Sequence, residues 1–246
     1  MNGSGSGIGF QYLRDTRYDR EELGAAPREY YPRSPLYKQY PPDTERMALP
    51  RDFPPAIRDF WQSVQQRRSR RDYLDAPLRL PELAALLWAS QGLTLAAPHH
   101  AFRAAPSAGA LYPVETYVAV HRVEGVPPGL WHFNVPEFAL ELIAPGDVRR
   151  PLIAAGLNQQ FLGTAGAVFL WTGILGRSLW KYRQRAVRYL FLDAGHICGQ
   201  LHLAASALGL GCCPVAAFFD GEVEELLQVN PAEEIAVYLA SVGRVA

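Results

Sequence analysis

The chain has 246 residues, 49 % hydrophobic and 20 % charged, which suits one large or two small domains with a true core and excludes a disordered polyelectrolyte. Lys plus Arg equals Asp plus Glu at 24 each, so the basic excess of a general nucleic-acid binder is missing. Twenty prolines and 21 glycines follow no period, which excludes collagen and repeat arrays.

In chain order, Met-Asn-Gly-Ser-Gly-Ser-Gly opens as a flexible lead without the apolar core of a signal peptide. It is no GxGxxG loop, because Phe10 stands where a third glycine would fall. Residues 1–50 form a separate arm holding six of the 12 tyrosines (Tyr12, Tyr18, Tyr30, Tyr31, Tyr37, Tyr40) and little periodicity. Such an arm is expected to wrap the body or a partner subunit. The body, 51–246, opens with a helix predicted over Phe53–Arg67, with Ile57, Phe60, Trp61 and Val64 on one face. A second helix is predicted over Pro81–Gln91 and stopped by Gly92. Strand alternation covers Glu115–Val123, and Leu130–Phe133 with Phe138–Ile143 reads as a hairpin. Asp147–Leu157 reads as a short capped helix, and the apolar run Ala165–Leu175 as a buried strand. A long helical pattern runs from Arg177 to Leu208, with a break expected near Ala186 or Gly199 and an end at Gly209 and Gly211. A strand over Cys213–Phe218, a helix over Glu222–Val229 and a strand over Ile235–Val242 close the chain. Helices and strands mix without a strict βαβ repeat, so the expected class is α+β, a mixed or antiparallel sheet flanked by helices.

Two negative readings follow. Ile197–Phe219 is uncharged and long enough for a membrane span, yet Gln200, His202 and Pro214 interrupt it and Asp193 and Asp220 flank it, so a buried helix and strand are expected. The three cysteines, Cys198, Cys212 and Cys213, offer no CxxC pair or disulfide framework; a reducing cytoplasm and no metal site are expected.

Four segments could carry chemistry. Arg67-Arg68-Ser69-Arg70-Arg71 puts four guanidiniums in five residues, which suits an anion between them or, more blandly, cations at a helix C-terminus. Pro106-Ser107-Ala108-Gly109-Ala110-Leu111-Tyr112-Pro113 is a small-residue loop that would let a backbone approach a flat ligand. Ala105-x-Ser107-x-Gly109 also approaches the GxSxG elbow of a hydrolase, with Asp147 and His196 following in order, but His99–Arg103 makes a poor strand to lead into it. Lys181-Tyr182 is conspicuous because only one other lysine, Lys38, occurs, and such a pair can accept a proton. Tyr182, Ala186, Tyr189 and Asp193 fall on one helical face, and a solvated salt-bridged face is the plain alternative. His196 and His202, six apart, make no metal pair and read as ordinary helix histidines. Leu208-Gly209-Leu210-Gly211 leads into an apolar strand that could present bare backbone to a planar cofactor, or could be only a helix cap and core strand.

Taken in order from Arg67 to Gly243, these four segments resemble the nitroreductase superfamily of flavoproteins, and within it the SagB/ThcOx-type dehydrogenases that include azoline-oxidising enzymes. The resemblance implies an FMN fold built as an intertwined homodimer with flavin at the subunit interface. It places the FMN phosphate and ribityl chain near Arg67, Arg68, Ser69 and Arg71, with Arg244 also within reach. It lays Pro106, Ser107, Ala108, Gly109 and Ala110 against the flavin and turns the backbone of Pro214, Val215, Ala216 and Ala217 to its ring, one N–H bonding N5. Lys181 and Tyr182 match the pair that handles the proton in azoline-oxidising members. The implied reaction oxidises a small molecule or modified peptide, such as a thiazoline or oxazoline, with electrons passing on to oxygen or another acceptor. A biosynthetic partner protein is possible within that group. The alternatives are an NAD(P)H-dependent reductase of nitro groups, quinones or enones, and a non-catalytic dimeric scaffold. Several positions depart from the usual pattern. Ala110 stands where Asn is common, Ala216-Ala217 replace Glu-Gly, Asp193 replaces Glu, and Gly199-Gln200 occupy the usual Gln-Asn positions.

Overall fold

The computed structural model of the chain describes residues 7–18, 30–97 and 100–246, so the Gly-Ser lead at 1–6 lies outside the described residues. Its centre is a seven-stranded sheet of β1 (Arg46–Ala48), β4 (Val114–Val120), β5 (Gly129–Asn134), β6 (Ala139–Pro145), β7 (Ala167–Gly173), β8 (Leu210–Val215) and β9 (Ile235–Arg244). The order is β1-β6-β5-β4-β7-β9-β8 and every pairing in it is antiparallel. A separate hairpin joins β2 (Leu93–Ala97) to β3 (His100–Arg103). The class is therefore α+β, with an antiparallel sheet.

Both faces of the sheet are covered. Along β7, Phe169 and Trp171 point into one apolar cluster while Val168 and Leu170 point into the other. That is why 167–173 reads as one unbroken apolar run and not as an alternating strand. The first cluster packs under α3 (Leu80–Gln91) and α7 (Ala186–Ala207). The second is closed by α4 (Arg149–Ala155), α5 (Phe161–Thr164) and α8 (Asp220–Leu226). No helix among the described residues is long and apolar enough to cross a membrane.

Several expectations need correction. The first body helix, α2 (Phe60–Gln66), begins seven residues later than expected, because Asp59 caps it by accepting from Gln62 N at 2.8 Å while Asp59 N donates to the Gln62 side chain. Its apolar face looks outward: Ile57, Phe60 and Trp61 are 67 %, 62 % and 71 % exposed, and Ser63 is buried in their stead. Of the two breaks expected in the long helical pattern, the one near Ala186 is present, at Arg183, whose φ of 51° cannot continue a helix, whereas Gly199 makes none. Gly209, at φ 72°, ends α7, but Gly211 already belongs to β8, where any Cβ would strike Val245 and Tyr73. The strand expected over Cys213–Phe218 accordingly lies earlier, and Ala216 to Phe218 run on beyond it. His100–Arg103, dismissed as a strand, is one; its cross-strand partner β2 supplies the pairing that its own sequence does not advertise.

The described residues before 51 pack against the rest of the chain. Here α1 (Ile8–Asp15) packs beside the start of α7, with Arg188 N donating to Tyr12 Oη at 2.8 Å. Farther on, Lys38 Nζ donates to Glu234 at 2.5 Å and to Tyr117 Oη at 2.6 Å, and β1 adds the edge strand beside β6.

Candidate functional site

Helix α7 is the spine of the site. Asp193 is buried on it, and both carboxylate oxygens serve the small-residue loop: Ser107 Oγ donates to Oδ2 at 2.5 Å and Ala108 N to Oδ1 at 3.2 Å. Burial pushes the Asp193 carboxyl up from the usual range, against the pull of those two donors. Seven residues on, Gln200 Nε2 donates to Ala104 O at 3.0 Å, just ahead of the loop. His202 meets Arg68 O at 3.2 Å, so the same helix also positions the arginine run. It is the satisfied helix histidine the sequence suggests.

The loop turns through Gly109 (φ 62°) and Ala110 (φ 55°), and then Tyr112 (φ 46°). Ser107 Oγ donates to Asp193 and accepts from Tyr112 N at 2.9 Å, so its hydrogen goes to a carboxylate and not to the histidine base that the hydrolase reading requires. Gly109 faces Lys181 and Tyr182, which close the helical turn α6 (Leu179–Tyr182). A Cβ at Gly109 would overlap the Tyr182 hydroxyl and lie 2.5 Å from Lys181 Nζ. Two segments 72 residues apart in sequence therefore meet at one glycine. Behind them, Tyr182 packs edge-on to Tyr189 with ring centres 4.8 Å apart, so the two tyrosines meet across the helix break.

The arginine run is extended after Arg67 caps α2. Ser69 bridges Cys212 in parallel and Arg70 N donates to Cys212 O at 3.0 Å, which docks the run beside β8. Extended backbone alternates its side chains. Arg67, Arg68 and Arg70, with Arg58 and His202, line a cavity of about 360 Å³ that has no acidic side chain among its lining residues. Ser69 and Arg71 turn instead toward the Cys213 thiol, and Arg71 lies 5.6 Å from the Phe161 ring centre. Arg68 also donates to the α2 carbonyls of Gln65 and Arg67, as a cation at a helix end does.

Pro214 and Val215 pair with Ala240 and Leu239, and the exposed Ala216 and Ala217 follow the last pair. Arg244 is already engaged, with Nη2 donating to Glu82 at 2.7 Å and Nε to Pro77 O at 3.2 Å. The structure thus brings the loop together with Lys181 and Tyr182, and separately the arginine run with Cys212 and Cys213 of β8. Asp193, Gln200 and His202 anchor these segments to α7, a task that the spacing on the helix face did not assign to them. Asp193 had a signal: it is the one acid in the stretch Leu190–Phe219.

A sequence model of the nitroreductase family matches residues 64–244. The chain belongs to the nitroreductase family. It is 36 % identical over 179 residues to MJ1384 of Methanocaldococcus jannaschii, a protein named as a nitroreductase, covering 73 % of this chain and 87 % of that one. It is 31 % identical over 143 residues to the trifolitoxin-processing protein TfxB of Rhizobium leguminosarum bv. trifolii, 56 % of this chain but 38 % of TfxB. A nitroreductase structure from Anabaena variabilis superposes with TM-score 0.75 at 26 % identity over 94 % of this chain and 45 % of its own. The nitroreductase domain here thus spans less than half the length of those last two proteins. The same fold is shared, at 20 % and 19 % identity, by a chain of the Escherichia coli microcin synthetase McbBCD complex with bound pro-peptide (TM-score 0.62) and by an FMN-complexed structure from Desulfovibrio desulfuricans (TM-score 0.53). They cover 83 % and 77 % of this chain, and 79 % and 87 % of their own. Nitroreductase membership makes the protein an oxidoreductase of a flavin-binding family.

Proposed function

We propose that this nitroreductase-family protein is an FMN-dependent dehydrogenase or oxidase of the SagB/ThcOx type, acting on a peptide azoline or similar heterocycle. The observation that carries the reading is the meeting of Gly109 with Lys181 and Tyr182, which sets a proton-accepting pair against a bare, left-handed backbone turn. The residues fit FMN. Arg67 and Arg68 line a cationic cavity, Ser69 and Arg71 stand on the other side of the same extended run, and a small-residue loop is fixed by Asp193. When bound, FMN supplies the two-electron acceptor for a substrate hydride. Lys181 Nζ or Tyr182 Oη would take the substrate proton; Pro106–Ala110 would orient the flat ligand and exclude water, and the backbone of Pro214–Ala217 would face it. Arg244 joins only if it leaves Glu82.

A homodimer, built from the body with the arm 1–50 as an accessory segment, is part of the proposal. Ile57, Phe60 and Trp61, together with Phe191 and Leu192 on α7, form apolar surface that a monomer would leave in water. The names TfxB and McbBCD support a peptide-modifying setting with a partner protein. Three buried free thiols suit the cytoplasm.

The first test is the absorbance of purified protein before and after denaturation. About one FMN released per chain supports the reading; a colourless protein that takes up no added FMN sinks it. Truncating both Lys181 and Tyr182 should then abolish azoline oxidation while flavin stays bound. The similarity to MJ1384 favours a second reading, NAD(P)H-driven reduction of nitro groups or quinones. Rapid bleaching of the flavin by NADPH would select it.

A further inference from the structure

The stretch that carries Lys181 and Tyr182 is poorly able to hold itself. It consists of a 3₁₀ turn at Leu175–Arg177, the four-residue α6 and another 3₁₀ turn at Arg183–Arg185. Single helical turns are unstable alone. Directly after Tyr182, Arg183 adopts φ 51° and ψ −145°, a region that side chains tolerate only where surrounding contacts enforce it.

Those contacts come from the arm. Tyr12 Oη donates to Gln184 O at 3.2 Å and accepts from Arg188 N at 2.8 Å. Arg185 donates to Thr16 O, and Gln184 Nε2 donates to Tyr31 Oη at 3.0 Å. The Arg33 guanidinium lies 3.6 Å over the Trp180 ring, the residue before Lys181. Ser34 N donates to Gly176 O at 3.3 Å. Arg177 joins three parts at once: Nε donates to Pro35 O at 2.6 Å, Nη1 to Tyr112 O at 3.1 Å and Nη2 to Glu115 at 2.5 Å. Every turn of the 176–188 segment is therefore touched by the arm. The arm is itself fixed elsewhere, through Lys38 to Glu234 and Tyr117 and through β1 to β6.

We propose that residues 12–18 and 30–37 of the arm form a strap that positions Lys181 and Tyr182 against Gly109, with Tyr12 and Arg33 as positioning residues. The inference rests on the proposed role of that pair. It makes the arm part of the active site although no arm residue need touch the substrate, and it assigns a function to Tyr12 and Tyr31.

The test uses the full-length, FMN-loaded protein and the variants Tyr12→Phe, Arg33→Ala and the two combined. Two quantities are read: amide hydrogen exchange in peptides covering 176–188 against β7, and kcat and KM for a synthetic peptidyl thiazoline. The double variant should exchange about tenfold faster in 176–188 with β7 unchanged, as a local opening does. Its kcat should fall about 10- to 100-fold, the cost of an ångström-scale misplacement, with KM and flavin content within about twofold of wild type. Arg33→Lys, which keeps a cation over Trp180, should recover most of the kcat. Unchanged exchange in 176–188 overturns the strap, as does faster exchange with undiminished kcat, or a loss spread evenly over the sheet. If the wild-type protein ignores the thiazoline but bleaches with NADPH, the azoline reading fails separately. The same comparison is then read on NADPH-driven quinone reduction, and if neither reaction runs, the exchange pattern decides.

Discussion

Replacing Gly109 with alanine separates stability from positioning at the point where the site is assembled. Gly109 sits at φ 62°, so an added Cβ costs about 1–2 kcal/mol of left-handed strain. Its neighbours Ala110 and Tyr112 already bear side chains at φ 55° and 46°, so the loop tolerates this conformation and the fold survives. In a chain of this size that cost lowers Tm by about 2–8 °C. The contact is the larger effect. A Cβ would lie 2.5 Å from Lys181 Nζ and overlap Tyr182 Oη, and ordinary contact needs about 3.5–4.0 Å. Both obstacles are ends of flexible side chains, which relax by moving about 1 Å or more. A shift of that size at the reacting groups costs about 100-fold in turnover. The assay pairs a thermal melt with kcat for the thiazoline peptide and for NADPH-driven quinone reduction. A Gly109→Ala protein with a lowered Tm but wild-type turnover in whichever reaction the enzyme runs would refute the reasoning. The Lys181 and Tyr182 ends would then have no need of their observed place.

Other outcomes follow from the same geometry. Asp193→Asn keeps the shape but presents an NH₂ to one of two donors, so it should cost about 1–3 kcal/mol in urea unfolding and loosen flavin retention. Arg67→Ala should weaken FMN binding about 10- to 100-fold by fluorescence titration, as expected for one charge-assisted bond, while the exposed Arg150→Ala should not. His132 bridges Glu115 at 2.9 Å and Glu141 at 3.0 Å, all three buried; the two carboxylates hold its pKa up, and it holds theirs down, Glu141 to about 2. The carboxylates' contribution to stability is complete above about pH 4.5 and lost as pH falls through their folded values. That of His132 is complete below about pH 6.5 and lost as pH rises through its raised folded value. Urea unfolding should therefore show this cluster's contribution greatest from about pH 4.5 to that raised value, and His132→Leu should remove the alkaline loss at a cost of about 3–5 kcal/mol, while the Arg177–Glu115 and Arg46–Glu141 pairs keep an acid one.

Some of this protein is fixed by local chemistry and so is written in its sequence. The run 167–173 could only be a doubly covered strand, Gly209 could end α7, and Gly92 follows the last residue of α3. The four segments that carry the nitroreductase resemblance need only their residue types and order to be recognised. Other features depend on what lies across space. The apolar face of α2 reads as core in sequence, yet only the packing of Ser63 against α7 decides that Phe60 and Trp61 face outward. β3 exists because β2 pairs with it, and Arg183 takes its left-handed turn because the arm and Arg177 hold the segment on both sides. Nothing in the spacing of Gly109 and Lys181 brings them together; α7 fixes the loop through Asp193, while Arg177 and the residues before 38 hold the turn that carries Lys181. Periodicity reports which face of an element is apolar, whereas the partner that covers that face is settled only when long-range pairings close the sheet.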